Sequence, residues 1–294
     1  MPLILIVKTQ EKKYKAKEAI TDINALNRQK DTSIFFIGSS RVQYSLDPQI
    51  IQAYYSGFNT YNLGMSHSNF LGNCILADYI MQTVGHKILL IELSPLYEEL
   101  PEGLFLLLSM AKINQTQKAI QLAGNYSSKH FNIILNNLNQ KLSFSIFLNR
   151  GIKNIFFFNT EKTTAKLIGF NSVDKKTSYS TASFLKISDI NVVISSFVNL
   201  SEYKKIIDYL NTSAKKLNTQ IIFFLPLTYQ KQVEKEIVIP LYHSLPPHMK
   251  LEYTDDFIQS LTNSQYLLDK IHFNSAGAKI YSQLMIPLLK KKFE

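Results

Sequence analysis

The sequence predicts an α/β protein, a parallel sheet of about five strands packed between two layers of helices. Three observations carry this expectation. Short apolar runs recur, among them Ser33-Ile34-Phe35-Phe36-Ile37, Lys87 to Leu93 and Gln220 to Leu225. Their length and β-rich composition suit strands buried on both faces. Gly38 and Pro226 stop the first and the last of them. The helical stretch Ser201 to Leu217 leads straight into the run at Gln220, as a crossover between parallel strands does.

In chain order, residues 11–30 read as a helix with Ala16, Ala19, Ile20, Ile23 and Leu26 on one face. The strand at 33–37 follows. Asp47-Pro48 opens a second helix, with Pro in the first turn, where its missing N–H costs nothing. Ile50, Ile51 and Tyr54 form that helix's apolar stripe. Phe58 to Leu63 is the second strand, ended by Gly64; residues 70–83 are helical and 87–93 form the third strand. In Ser201 to Leu217 the positions Tyr203, Ile206, Ile207, Leu210, Ala214 and Leu217 share one side. The strand from Gln220 leads towards a proline-rich loop, Pro240 to Pro247, and Asn274-Ser275 cap a last helix.

Between the third and fourth strands lies a long, largely helical insertion, about 96–200. Its first half is apolar (Leu104 to Met110, Ile133 to Leu138), and its second half, from about 159 to 190, is rich in Ser, Thr, Asn and Lys. A connection this long in a compact fold points to a lid or a binding surface. The expected organisation is an N-terminal segment, 1–30, and one domain, 31–294, that carries the insertion.

Composition narrows the function. With 46% hydrophobic and 18% charged residues, the 294-residue chain can bury a substantial core and is not a disordered protein. The net charge of +10 is nearly all lysine, since Arg28, Arg41 and Arg150 are the only arginines. Readers of phosphate and nucleic acid favour Arg for its bidentate fork, and no helix-turn-helix or aromatic-basic pattern accompanies the lysines. Nucleic acid is not expected as a partner; attraction to an anionic membrane or polymer stays open. Cys74 is the sole cysteine, which fits the cytoplasm and does not exclude the periplasm. Pro2 to Val7 is apolar but far short of the roughly 20 residues a spanning helix needs. It reads either as a strand or as the stub of a membrane anchor. His243 and His248 have no ligand-spaced partner, and the 10 glycines are not clustered into a phosphate loop. Neither metal nor cofactor is expected.

Three features fall at strand exits or C-terminal loops, where an open α/β sheet places its ligands. Gly38-Ser39-Ser40-Arg41 follows the first strand. The glycine permits a tight turn, and a serine beyond it presents its hydroxyl above the sheet, beside amides able to hold an oxyanion. Asn62-Leu63-Gly64 ends the second strand, and a glycine there lets its N–H approach a ligand. Asp269-Lys270-Ile271-His272 precedes the last helix. A serine hydroxyl needs a base within hydrogen-bond reach. Histidine titrates near neutrality, and a carboxylate three residues earlier can curl back to orient it. Singly, each has a plain structural reading as a bend, a strand end or a capped turn. Together, in the order Ser, Asp, His, they point to acyl transfer through Ser40, Asp269 and His272.

At these residues the sequence resembles the SGNH (GDSL-type) hydrolase superfamily. Phe35 to Val42 is similar to its first block, with Ser40 at the nucleophile position. Asn62-Leu63-Gly64 is similar to the second, whose glycine N–H serves the oxyanion hole, and Asp269 to His272 to the last. The Gly-Ser-Ser-Arg form followed by Leu46-Asp47-Pro48 resembles a bacterial branch often tethered by an N-terminal membrane helix and active in cell-envelope or polysaccharide acylation. The resemblance covers about 31–100 and 218–290 and implies a three-layer, flavodoxin-like fold outside the cytoplasm. Its third block departs: where the family has asparagine, this chain reads Glu92-Leu93-Ser94-Pro95. Ser94 or Asn69 is then the candidate substitute donor. His67 either lines the site or sits on the surface, and Arg41 either binds an anionic substrate group or pairs with a carboxylate.

The expectation is a serine esterase or O-acyltransferase for a small ester or acylated carbohydrate. The competing expectation is an inactive binding or scaffold module on the same fold, favoured by the missing asparagine. A flavodoxin-like nucleotide binder leaves Asp269 and His272 without purpose.

Overall fold

The protein is described from a computed structural model, and the residues described are 32–82, 85–97, 101, 104, 169–174, 179–191 and 200–293. The helix expected over 11–30 and most of the insertion lie outside these residues.

Four strands are described, β1 (Thr32–Gly38), β2 (Phe58–Gly64), β3 (Lys87–Glu92) and β4 (Thr219–Phe224). They pair in parallel in the order β2-β1-β3-β4. About five strands were expected; beside these four, Lys250 makes a single parallel bridge to Phe223, and Leu251 N–H donates to the Phe223 carbonyl at 2.9 Å. β3 is buried along its whole length and β1 along all but its first residue. Both faces of a central parallel strand are covered, so its sequence is a continuous apolar run.

The helices are α1 (Ser40–Ser45), α2 (Pro48–Tyr54), α3 (Phe70–Met81), α4 (Ile187–Asn191), α5 (Ser201–Lys216), α6 (Gln232–Ser244), α7 (Asp255–Leu261) and α8 (Ser275–Phe293). α3 and α5 pack together on one side of the sheet, while α1, α2 and α8 pack together on the other. The result is a three-layer α/β/α sandwich. Every residue of α3 is buried, Asn73 and Asp78 included, so the outer side of this helix is also covered. Part of that cover is Pro101, whose ring would meet a Cβ placed on Gly72.

Two local expectations are corrected. The stretch from Pro240 is not a loop: α6 continues through it to Ser244. Tertiary burial of Ile237 to Tyr242 outweighs the backbone hydrogen bond that an internal proline forfeits. Leu217 does not join the buried stripe of α5; it stands at the helix C-cap, 40% exposed.

The strand order places the site. The chain steps from β1 outward to β2 and then returns to lay β3 against the other side of β1. Such a reversal opens a crevice beyond the carboxyl ends of the two central strands. Ser39 to Arg41 leave β1 there, and Leu93 to Pro95 leave β3.

Candidate active site

Ser39 caps α1, its hydroxyl accepting from Arg41 N–H at 3.2 Å. Ser40 is therefore the first residue of the helix, half-buried, with its hydroxyl free to leave the sheet edge. Gly38 has to be glycine, because a Cβ there would collide with Val42 and Glu92.

The partner loop is a tight reversal. Leu267 bridges Phe273 antiparallel, and Leu268 N–H donates to the His272 carbonyl at 2.8 Å. Asp269 Oδ1 accepts from the N–H groups of Ile271 and His272, each at 2.9 Å, an Asx turn that brings the carboxylate back onto the ring. Oδ2 lies 2.7 Å from His272 Nδ1. On the other side of the ring, Nε2 lies 2.7 Å from Ser40 Oγ. The three residues expected from sequence thus converge, Ser40 to His272 to Asp269. Burial alone would raise the Asp269 carboxyl; the bonds from the His272 ring and the two backbone N–H groups outweigh it and lower its pKa. The ring of Tyr44, on α1, flanks His272 at a centroid distance of 5.0 Å; sequence reading missed it, since a lone aromatic on a short helix carries no signal.

The remaining expected residues are placed differently. The Gly64 N–H is already donated, to Asn62 Oδ1 at 2.8 Å. A Cβ on Gly64 would enter the backbone of Gln43, so the glycine here serves close packing of β2 on α1. Asn62 in turn donates to the carbonyls of Val42 and Leu46, at 2.8 and 2.6 Å, and closes the end of α1. Asn69 caps α3 by accepting from Gly72 N–H at 3.0 Å. Ser94 Oγ is buried and has no hydrogen-bond partner among the described residues. His67 is exposed and holds a left-handed φ of 60° in the turn closed by Ser68 N–H on Met65 O. The hydrogen-bond partner described for the Ser40 hydroxyl is His272.

Arg41 resolves to its second alternative. Its Nε lies 2.9 Å from Glu92 Oε1 and its Nη1 2.6 Å from Glu234 Oε1. Burial disfavours the charged guanidinium, but Glu92 first and then Glu234 outweigh that, and its pKa is raised. With two carboxylates beside one guanidinium, the surroundings oppose capture of an anionic substrate group. Glu92 was legible as a lone acid at the end of an apolar strand; Glu234 had no sequence signal.

Two described pieces of the insertion border the site. Gly169 N–H donates to Gly64 O at 3.1 Å, Asn171 N–H to Gln43 O at 2.9 Å, and Ser275 N–H to Val173 O at 3.0 Å. On the other flank, Phe184 bridges Thr228, and Ser183 Oγ donates to the carbonyl of Lys270 at 2.5 Å. The insertion therefore ends by bracing both α1 and the histidine loop.

No family profile, curated protein or solved structure matches the chain.

Proposed function

We propose that the chain is a serine-dependent enzyme that works through an acyl-enzyme, an esterase or O-acyltransferase of the SGNH kind, with a small ester or acylated carbohydrate as substrate. The observation that carries this reading is the relay in which His272 meets Ser40 with one ring nitrogen and Asp269 with the other, each at 2.7 Å.

In the proposed reaction Ser40 Oγ attacks the acyl carbonyl carbon while His272 Nε2 takes the hydroxyl proton. The Asp269 carboxylate holds Nδ1–H and stabilises the imidazolium. Collapse of the tetrahedral intermediate breaks the bond to the alcohol oxygen, which receives the proton from Nε2. Water or a second alcohol then attacks the acyl-enzyme under the same base, which regenerates Ser40.

The developing oxyanion has one evident donor, the Ser40 N–H, which makes no hydrogen bond among the described residues. With Gly64 committed to Asn62, the site is expected to turn over slowly, since one missing donor costs about 10²–10³ in rate.

A fluorophosphonate probe tests the reading. Covalent labelling at Ser40 that vanishes in Ser40→Ala and in His272→Gln is the expected result. A native protein that takes no label, or a Ser40→Ala variant that labels as well as native, refutes it and leaves the scaffold reading.

A further inference from the structure

The nucleophile and the base are separated by 232 residues, yet they must be held to a fraction of an ångström. We propose that Arg41 is the positioning residue that does this, a strut from the nucleophile turn to the histidine loop, braced by Glu92 and Glu234.

The connections are continuous. Glu92 is fully buried. Its Oε2 accepts from Ser39 N–H at 2.5 Å, and its Oε1 pairs with Arg41 Nε at 2.9 Å. One carboxylate on β3 therefore holds the residues before and after Ser40. Through Nη1, Arg41 donates to the Thr228 carbonyl at 2.8 Å and pairs with Glu234. Glu234 Oε2 also accepts from Gln230 N–H at 3.0 Å, which fixes the stretch just after Thr228 to the first turn of α6. From there Thr228 Oγ1 donates to the carbonyl of Ile271 at 2.7 Å, the residue next to His272. The path runs Ser39 and Arg41, Thr228, Ile271, His272, without a gap.

The chemistry selects arginine. Nε faces Glu92 and donates to Ser39 Oγ at 3.3 Å, while Nη1 donates to the Thr228 carbonyl, different partners in fixed directions, as a planar fork can reach and a single ammonium cannot. Neither carboxylate reaches the reacting atoms, so the effect of the network passes through Ser40 and His272. Its consequence for rate rests on the serine-enzyme reading above; its consequence for the placement of His272 does not.

The test uses the whole protein and two mild variants, Arg41→Lys and Thr228→Val, with Leu210→Ala on the far helix α5 as a stability control. Labelled sites are titrated with the fluorophosphonate, and the labelling rate is expressed per active site. A displacement of about 1 Å can cost about 10²-fold. Each variant is expected to lose about that factor per site, and the double variant no more than the worse single one, because both cut one path. Leu210→Ala is expected to lower Tm with an unchanged rate per site. In parallel, NMR of the labelled His272 ring is expected to show shifted ring signals in both variants and not in Leu210→Ala. Native rates per site in both variants overturn the strut. If the native protein takes no label, the enzyme reading falls and the ring signals decide alone: native-like His272 signals in both variants overturn the strut, and shifted ones support it.

Discussion

Asp269 holds His272 at two points, its Oδ2 2.7 Å from ring Nδ1 and its Oδ1 2.9 Å from the backbone nitrogen. One side chain thus sets both the direction of the loop and the tautomer of the His272 ring, leaving Nε2 to accept from Ser40.

Asp269→Asn should keep the turn, because the amide oxygen can still accept from the two N–H groups, and lose the tautomer control. By analogy with serine-protease triads, where the same change costs about 10⁴ in turnover, fluorophosphonate labelling of Ser40 should slow by about that order with little change in Tm. A variant that labels as fast as native would separate Asp269 from the base.

The pKa of Asp269 is lowered below its ordinary 3.8. A group depressed in the folded state adds stability that is complete above the unfolded pKa and is lost as pH falls through the folded one. The native protein should therefore lose stability relative to Asp269→Asn only below about pH 4. Thermal melts of the two proteins between pH 2 and 7 read this directly; a constant gap across that range is the contrary result.

Tyr44 flanks the His272 ring at 5.0 Å. Such pairs are worth about 0.5–1.5 kcal/mol, so Tyr44→Ala should slow labelling by roughly 2- to 10-fold, while Tyr44→Phe should leave it unchanged. Equal loss in both variants would instead assign the role to the hydroxyl.

A Cβ on Gly64 meets the backbone nitrogen and Cα of Gln43, whereas one on Gly57 meets nothing within 4 Å. Forcing an atom into packed backbone costs about 1–3 kcal/mol. Gly64→Ala should lower unfolding free energy by that amount in urea titrations and weaken labelling as α1 shifts. Gly57→Ala should stay within about 0.5 kcal/mol of native. Matching stabilities for the two would contradict the close approach of β2 to α1.

Much of the fold was legible because its signals are local. The runs at Ile34 to Ile37, Ile88 to Ile91 and Ile221 to Phe224 are apolar on both faces, and α5 shows its stripe from Tyr203 to Ala214. Asp47 and Pro48 opened α2 where expected, with Asp47 accepting from Gln49 N–H at 2.9 Å. The misreadings arose where tertiary packing overrode a local rule. Pro240 reads as a breaker, yet the buried face around it keeps α6 intact. Gly64 reads as a ligand-facing glycine, yet its conformational room is used by Gln43.

By itself the sequence determined which residue types stand at the strand exits: a serine after Gly38, and an aspartate three residues before a histidine ahead of the last helix. Those choices concern bonds within a few residues, such as the Asp269 turn, and local chemistry suffices to read them. Only the tertiary structure decided that His272 closes on Ser40, that the Gly64 amide is spent on Asn62, and that Arg41 faces two carboxylates rather than a substrate. Each of these depends on distance in space between residues remote in the chain, which the parallel order of β2, β1, β3 and β4 sets and no local pattern encodes.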